Sequence, residues 1–285
     1  MLIGAHVSVA GGFAASAEYA ASVGCECIQI FAKSPRRWNA RPLDPDSAGS
    51  FRAACRAKNI AAVFTHAAYL INLGATDTAH RQRSIDALAD EVIRARLLGA
   101  AGVAVHLGTD REGDPDRAAT RIASAVDEAL ALAGVNDEPV TRVLLENSAG
   151  AGSTFGRDIA EIASVIDRVT HRELLGVCLD TCHAHASGIP LESEASWNAV
   201  VDEIAQRCGA DALRLIHAND CLSELGSNLD RHAWIGEGTL GTESFAAMFA
   251  TPALAHVDVV VEMPGEAPQK DAENVESLKR LRDAL

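Results

Sequence analysis

The chain has 285 residues, of which 39 are acidic and 25 basic, so its formal net charge at pH 7 is −14. That charge disfavours nucleic-acid partners unless basic side chains cluster locally, and the length suits one α/β barrel or two small domains. Seven cysteines, an odd number, argue against a disulfide framework, and no apolar run is long enough to span a membrane.

Short apolar, β-branched runs recur along the chain and predict eight buried strands. They cover residues 2–8, 28–31, 60–65, 103–106, 143–146, 175–180, 213–217 and 257–262. A helical stretch follows each of them. The predicted helices are an alanine-rich stretch that ends near residue 24, then 45–58, 77–98, 116–133, 158–169, 193–207, 244–250 and 271–285.

Eight strand–helix units in series predict an α/β protein with a single (β/α)8 TIM barrel that spans residues 1–285 as one domain. A doubly wound open sheet is the competing fold, because the same alternation of strands and helices builds it. The N-terminal residues enter the first strand without the basic start and cleavage pattern of a signal peptide, so we expect a cytoplasmic protein.

A histidine or a carboxylate stands at the end of strand after strand. The residues in these positions are His6, His66, His106, Glu146, Asp180, His217 and Glu262. The carboxyl ends of the strands form a single face of a barrel, where functional residues collect. Imidazole and carboxylate together suit zinc, manganese or iron, so the pattern predicts a metal site on that face. Whether His6 is a ligand stays open.

Two short motifs extend this pattern. The run Asp180-Thr-Cys-His183 leaves a strand end and places two candidate ligands on one turn. Asp230 and His232 follow the seventh strand at alternate positions, which point the same way in an extended segment. A lone histidine is usually structural, so the repetition of the pattern carries the argument. We expect the remaining histidines at the surface or in packing contacts; they are His80, His171, His185 and His256.

Several longer motifs occur in chain order over nearly the whole sequence. They are His66-Ala-Ala-Tyr-Leu-Ile-Asn-Leu-Gly74, Gly176-Val-Cys-Leu-Asp-Thr-Cys-His183, and His217-Ala-Asn-Asp220 continued by Asp230-Arg-His-Ala-Trp-Ile-Gly-Glu-Gly238. They resemble the three signatures of the endonuclease IV family, the zinc-dependent apurinic/apyrimidinic endonucleases (AP endonuclease family 2). Residues 4–12 and 146–152 are similar to that family as well.

The resemblance implies a trinuclear zinc cluster at the carboxyl ends of the barrel strands. All nine ligand positions of the family carry the expected residue type here. The first zinc ion would bind His66 and His106, the second Asp180, His217 and Glu262, and the third His183, Asp230 and His232, with Glu146 bridging the first two. The same resemblance makes Glu146 and Glu262 catalytic.

The resemblance also implies a reaction and a partner. Family members cut double-stranded DNA 5′ to an abasic site, leave a 3′-hydroxyl and a 5′-deoxyribose phosphate, and trim blocked 3′ ends in base excision repair. A metal-bound hydroxide would be the nucleophile, because clustered Zn²⁺ lowers the pKa of a bound water toward ~7. The family is monomeric. Arg36, Tyr69 and Leu70 match positions that contact DNA and fill the vacated stack.

Some features of the rim loops leave alternatives open. Lys33, Arg36 and Arg37 form a basic cluster in a loop after the second strand, and without the resemblance Arg36 and Arg37 would be a solvated loop. Without the resemblance, Tyr69 and Leu70 would likewise be a buried core pair. The loop 221–229 contains no lysine or arginine where relatives often place one, so a phosphate contact there is in doubt. Leu107 replaces a proline found in some members, which affects loop stiffness more than ligation.

Two other functions compete with the nuclease. A metal-dependent sugar isomerase or epimerase uses the same barrel, but it needs only one or two metals and leaves Asp230 and His232 without a role. A non-catalytic DNA-binding module on the same fold is the second alternative, and the complete set of ligand residues argues against it. Fold analogy alone does not separate these functions.

Overall fold

Ten strands lie in the part of the chain that the computed structural model describes, which is residues 1–134, 141–262 and 268–285. They are β1 (Ile3–His6), β2 (Cys27–Phe31), β3 (Ala62–His66), β4 (Gly102–His106), β5 (Arg142–Glu146), β6 (Leu175–Asp180), β7 (Leu213–His217), β8 (Asp220–Cys221), β9 (His232–Ala233) and β10 (Asp258–Val261). Eight of them close into a parallel barrel in the order β1-β10-β7-β6-β5-β4-β3-β2, and β8 and β9 form a separate antiparallel pair. The predicted TIM barrel is confirmed, and the open sheet is wrong.

Helices cover the outside of the barrel. Those in the described residues are α1 (Phe13–Ser22), α2 (Pro45–Ala57), α3 (Thr78–Leu98), α4 (Pro115–Ala133), α5 (Ile159–Ile166), α6 (Thr181–Ser187), α7 (Glu194–Cys208), α8 (Gly241–Ala250) and α9 (Pro268–Asp283). Asp44, Asp77 and Asp114 cap α2, α3 and α4 by accepting hydrogen bonds from first-turn N–H groups. Among the described helices, none combines the length and apolarity that crossing a membrane requires.

A small apolar layer, here called the floor layer, fills the barrel beneath the carboxyl ends of the strands. Its buried members are Cys27, Phe64, Ala104, Leu144, Cys178, Leu215 and Val260. Side chains alternate along a strand, so the residue two positions later points into the same interior. Glu146 therefore stands above Leu144, and His217 stands above Leu215. This alternation places a ring of polar side chains on an apolar base.

A second, larger apolar core joins the barrel to its helices. Phe51 of α2, Leu88 of α3, Ile122 of α4, Trp197 of α7 and Phe245 of α8 are fully buried in it. Burying one such side chain contributes roughly 1.5–3 kcal/mol, so this core fixes each helix against its strands. The strand ends that carry polar groups are thereby held on a rigid frame.

The structure differs from the predicted elements at two places beside the polar ring. Helix α6 was not predicted, because seven residues are too few to show a helical period; Asp180 caps it by accepting from the His183 N–H. The predicted long loop after the seventh strand contains the β8–β9 pair. Elsewhere the bounds shift by a few residues: α5 ends at Ile166 and α9 begins at Pro268.

Candidate metal centre

Nine side chains with nitrogen or oxygen donors converge on the carboxyl ends of the strands. They are His66, His106, Glu146, Asp180, His183, His217, Asp230, His232 and Glu262. Six of these residues end a barrel strand or follow it directly, whereas His183 lies in α6, Asp230 in a loop and His232 in β9. They fall into overlapping groups whose donor atoms lie within 4.8 Å of one another. The structure thus brings together all the residues that the sequence named as ligands.

Glu146 lies at the centre of the first two groups. Its Oε2 atom is 3.0 Å from His66 Nε2 and 3.3 Å from His106 Nε2. Its Oε1 atom is 3.3 Å from His217 Nδ1. The two oxygens of one buried carboxylate therefore face different histidines, as a carboxylate that bridges two metal ions must.

The second group surrounds a single imidazole with carboxylates. His217 Nδ1 lies 3.3 Å from Glu262 Oε2 and 3.9 Å from Asp180 Oδ2, in addition to its contact with Glu146. His217, Asp180 and Glu146 are almost completely buried. Three carboxylates around one imidazole leave an excess of negative charge even when the ring is protonated, and a divalent cation would balance this excess.

The third group joins α6 to the loop before β9. Asp230 Oδ2 is 3.2 Å from His183 Nε2, and Asp230 Oδ1 is 3.3 Å from His232 Nε2. Asp180 Oδ2 also lies 3.5 Å from His232 Nε2. This His232 nitrogen is buried but has no partner in hydrogen-bond geometry among the described residues. An unsatisfied buried imidazole nitrogen facing two carboxylates fits a metal ligand.

Cys182 lies beside this third group and is not among the nine ligands that the family resemblance implies. Its sulfur is within 4.8 Å of donor atoms of Asp230 and His232. It also makes a 2.8 Å contact with Cys221 Sγ, and hydrogen bonding to Cys221 together with burial raises the pKa of the Cys182 thiol. A protonated thiol is a poor ligand, so the nitrogen and oxygen donors define this site.

Backbone carbonyls determine which nitrogen of two histidines is available. His66 Nδ1 donates to the Ala67 carbonyl at 2.8 Å, and His183 Nδ1 donates to the Asn147 carbonyl at 3.0 Å. Both rings therefore present Nε2 to the centre of the site. Metal-binding histidines are generally oriented by such a bond from their other nitrogen.

Gln29 orients two more candidate ligands, and sequence analysis missed it. Its Oε1 accepts from His217 Nε2 at 2.9 Å, which leaves His217 Nδ1 for the site, and its Nε2 donates to Glu262 Oε1 at 2.7 Å. Asn219 has a similar role: it donates to Asp180 Oδ2 at 2.6 Å and accepts from the Glu262 N–H at 2.7 Å. The only sign of this role in the sequence is that Gln29 stands two residues after Cys27, so that both side chains point to the same face of the strand.

Asp220 shapes the segment that carries Asp230 and His232. Its two buried carboxylate oxygens accept hydrogen bonds from five backbone N–H groups at 2.8–3.3 Å. The donors are Cys221, Gly236, Gly238, Leu240 and Gly241. A charged acceptor with several amide donors is a strong local anchor. The loop is therefore held at both ends although it has little regular structure.

The electrostatics of the cluster favour a bound cation. Burial acts to raise the pKa of Glu146, but the nearby imidazoles of His106 and His217 outweigh burial and hold that pKa well below its usual range. Burial acts to lower the pKa of His183, but Asp180 and Asp230 raise it well above its usual value. Glu146 thus stays ionised at neutral pH, as a carboxylate that binds a metal ion must be. The nitrogen and oxygen donor set suits zinc.

His6 lies next to the cluster and outside its donor groups. Its Nδ1 is 3.3 Å from Glu262 Oε1 and 3.0 Å from Gln29 Nε2. Burial lowers the pKa of its imidazole, with Glu262 acting in the opposite direction. In this position His6 contacts a candidate ligand and the residue that orients it.

The three candidate DNA-binding residues lie in loops on the rim of the site. Arg36 is exposed in the loop after β2. Tyr69 is 59% exposed, and its ring meets those of Phe31 and His66 with centroids 5.4 and 5.6 Å apart. Leu70 beside it is partly buried. The alternative of a buried core pair does not hold for Tyr69.

Lys33 does not belong to the exposed basic cluster, which corrects the sequence-based expectation. Its side chain is buried, and its Nζ donates to Asp90 Oδ2 at 2.8 Å and to the Ala87 carbonyl at 3.3 Å. A lysine ammonium that is removed from water requires such partners. The exposed positive charge on this loop therefore comes from Arg36, Arg37 and Arg41 and not from Lys33.

Comparisons with known proteins agree with this geometry. A family described as xylose isomerase-like TIM barrel matches residues 17–284. A protein named probable endonuclease 4 from Methanoculleus marisnigri is 36% identical over 284 residues, which cover 100% of both chains. Another of the same name from Oleidesulfovibrio alaskensis is 41% identical over 281 residues, 98% of this chain and 95% of that protein.

Solved structures give the same result. The crystal structure of endonuclease IV from Thermus thermophilus superposes with a TM-score of 0.88 at 34% identity and covers 100% of both chains. A D-tagatose 3-epimerase-like protein matches with a TM-score of 0.76 at only 17% identity over 100% of this chain and 98% of its own, a likeness of fold alone. Since the high identities extend over the full length, this chain belongs to the endonuclease IV family of nucleases.

Proposed function

We propose that this chain is a zinc-dependent DNA-repair endonuclease that acts as a monomer on double-stranded DNA in the cytoplasm. It hydrolyses the phosphodiester 5′ to an abasic site, leaves a 3′-hydroxyl and a 5′-deoxyribose phosphate, and trims blocked 3′ ends. The observation that carries this proposal is the series of overlapping donor groups, in which neighbouring groups share Glu146 or Asp180 and in which Asp230 contacts both His183 and His232.

The protein's own residues would hold three zinc ions in this chain of sites. His66 and His106 offer Nε2 to the first, and His217 offers Nδ1 to the second because Gln29 occupies its other nitrogen. His232 Nε2 lacks another partner and would bind the third. Bound zinc supplies positive charge for the phosphodiester oxygens and a water of lowered pKa as nucleophile.

Glu146 and Glu262 keep the reacting centre in place. Glu146 fixes the spacing of the first two sites, because its two oxygens face different histidines. Glu262 accepts from Gln29, which prevents its carboxylate from turning away from His217. The neighbouring imidazoles outweigh burial and hold the pKa of both carboxyl groups well below the usual range, so both side chains offer charged oxygens to the site.

Recognition of the substrate falls to the rim loops. Arg36 supplies positive charge for a phosphate, and the exposed Tyr69 with Leu70 fills the space that an abasic nucleotide leaves in the stack. An abasic nucleotide has no base to unstack, so turning it out of the duplex costs less than turning out an intact nucleotide. The protein would then discriminate abasic from intact DNA because the abasic duplex bends and opens more easily.

A sugar isomerase or epimerase remains the main competitor, and two observations oppose it. The epimerase structures share 14–17% of their residues with this chain, against 34–41% for several of the endonuclease relatives. The third donor group has no place in a site with one or two metals.

Metal analysis of the purified protein, together with cleavage of a duplex that contains a single abasic site, tests the proposal. We expect close to three zinc ions per chain, cleavage without added magnesium, and products that end in 3′-hydroxyl and 5′-deoxyribose phosphate. A matched duplex with an intact base is the control and should stay uncut. One metal per chain, or epimerisation of a ketose without DNA cleavage, would contradict the proposal.

A further inference from the structure

Helix α3 contacts the bases of both rim loops that carry candidate DNA-binding residues. The β2 loop, residues 32–44, contains Arg36, and the β3 loop, residues 67–77, contains Tyr69. Near the start of the β2 loop, Lys33 donates to Asp90 Oδ2 of α3 at 2.8 Å. Its Nζ also lies 3.7 Å from Glu91 Oε1, and the side chains of Lys33 and Glu91 are each only 1% exposed.

The far end of the β2 loop is held by the same helix. Arg94 donates from Nε to Asp90 Oδ2 at 2.9 Å and from a terminal nitrogen to the Arg41 carbonyl at 2.6 Å. Asp90 is thus shared by Lys33 and Arg94. One carboxylate of α3 connects the two ends of the loop that presents Arg36.

Glu91 extends the connection to the β3 loop. Its Oε1 accepts a hydrogen bond from the Ala68 N–H at 3.2 Å, directly before Tyr69. Its Oε2 is buried and makes no hydrogen bond among the described residues. Burial raises the pKa of Glu91 to about 7 while Lys33 acts to lower it, so the contact between them is a full ion pair only above neutral pH. This contact links the base of one loop to the base of the other.

Stability alone does not account for this arrangement. A buried ion pair loses about as much in desolvation as it gains in attraction, and apolar residues of similar size often serve stability as well or better. What charged groups add is a defined geometry, because each has to stay close to its partner. Fixed relative positions matter where two separate loops have to meet one ligand.

We propose that Lys33 and Glu91 are positioning residues for substrate recognition, whose buried ion pair holds the β2 and β3 loops in the relative position at which Arg36 and Tyr69 meet the same duplex. This inference rests on the proposed function. Lys33 and Glu91 touch neither substrate nor metal, and they act through the loops. Their loss should therefore affect DNA binding and leave the metal centre intact.

Steady-state kinetics on two substrates test this. In Lys33→Met we expect KM for the abasic duplex to rise about tenfold or more. The zinc content, and the turnover of the small diester bis(p-nitrophenyl) phosphate, which does not reach the loops, should stay at the parental level. Lys279→Met is the matched control, because Lys279 also pairs with a carboxylate, Glu26, but at the opposite end of the barrel. It should leave both substrates unaffected.

Glu91→Gln is the second variant and provides the test if Lys33→Met fails to fold. It keeps the size of the side chain. It should raise KM as well, and the double variant should be no worse than the more affected single variant, since each single variant already removes the Lys33–Glu91 contact. Hydrogen exchange should increase in both loops at once.

The outcomes separate this inference from the proposed function. A parent protein that does not cut the abasic duplex overturns the proposed function. A parent that cuts it, with an unchanged KM in Lys33→Met and Glu91→Gln, overturns only the positioning role. Faster exchange in the β2 loop alone, with the β3 loop unchanged, also contradicts the proposed coupling.

Discussion

Gln29 controls the orientation of two candidate ligands with one amide group. Its carbonyl oxygen accepts from His217, and its amino group donates to Glu262. Because Gln29 itself is completely buried, water cannot replace these hydrogen bonds when the amide is removed. A side chain that binds no metal can in this way decide how well a metal is held.

We expect Gln29→Leu to weaken zinc binding about 10–100-fold, as removal of such partners typically does. His217 would be free to rotate, and Glu262 would lose its donor. Titration against a competing zinc chelator measures the affinity. The control is Gln82→Leu on the exposed side of α3, which should bind zinc like the parent. Equal zinc affinity in Gln29→Leu and the parent would contradict the orienting role.

Variants of Tyr69 and Glu262 test whether DNA recognition and cleavage depend on different residues. Tyr69→Ala removes an exposed ring whose stacking on a base is worth ~1–3 kcal/mol. Affinity for abasic duplex and discrimination against intact duplex should fall, whereas the zinc content should not change. Glu262→Gln is the complementary variant, since it removes a charge beside the second site: cleavage should fall by orders of magnitude and affinity far less. Parental discrimination in Tyr69→Ala would speak against its role.

Some residues of the site could be predicted from sequence and others could not. The strand-end positions were visible because each follows a β-branched run, so Glu146 and His217 were placed correctly on one face. Gln29 was missed because a neutral amide is not a metal ligand and gives no signal. Lys33 was wrongly grouped with Arg36 and Arg37 as local positive charge, because its partner Asp90 is 57 residues away in the chain.

At the scale of elements, the segment between β8 and α8 depends on one carboxylate. Asp220 accepts hydrogen bonds from five backbone N–H groups. Along the chain, Asp230 and His232 lie between the first of these donors, Cys221, and the last, Gly241. Addition of a side chain at Gly238 would clash with Asp220 and the Cys221 carbonyl, so the packing leaves no room to rearrange. The third donor group therefore relies on this local anchor.

In Asp220→Asn one oxygen becomes an amino group that faces N–H donors. The segment should loosen, and the zinc content should fall from about three ions to about two per chain. Elemental analysis after gel filtration measures this, with Asp211→Asn at an exposed turn as the control. A variant that keeps the full complement of zinc would show that the third group does not depend on Asp220.

Glu26 links α9 to the amino end of the barrel and makes stability depend on pH. Burial acts to raise the pKa of Glu26, but hydrogen bonds from Arg282 and the Ile3 N–H lower it from 4.5 to about 2. The folded-state pKa lies below the unfolded value, so this stabilisation is complete above pH 4.5 and is lost as the pH falls toward 2.

Glu26→Gln should lower the free energy of unfolding by about 1–2 kcal/mol at pH 7, a figure reduced for partial exposure of the side chain. Urea denaturation at pH 7 and pH 3 gives the comparison. The difference between parent and variant should be largest at pH 7 and smaller at pH 3. A difference that is constant across this range would exclude the carboxylate as its origin.

The elements themselves were predictable to different degrees. Continuous apolar runs such as that of β6 revealed the barrel, because strands covered on both faces need them. Helix α6 has only seven residues, and the β8–β9 pair joins segments separated by a loop, so neither has a periodic pattern that sequence analysis detects.

At the scale of the whole molecule, the charge distribution repels DNA in general and attracts it only locally. The net charge of −14 repels a duplex in general, and Lys33 is removed from the surface by its ion pair. Attraction then has to come from exposed arginines, such as Arg36 and Arg37 of the β2 loop, and from any cations in the metal centre. Affinity for undamaged DNA should accordingly be low and should fall further when zinc is removed.

The floor layer makes the metal centre a cup with a single opening. Apolar side chains from seven strands close its base, so neither water nor ions can pass through the barrel. Ions have to leave by the opening through which DNA would arrive, so bound DNA would block their exit. We expect brief chelation to remove little zinc and saturating nicked product DNA to slow the loss further. A metal-sensitive dye would record both rates, and equal rates with and without DNA would mean that the ions have another exit.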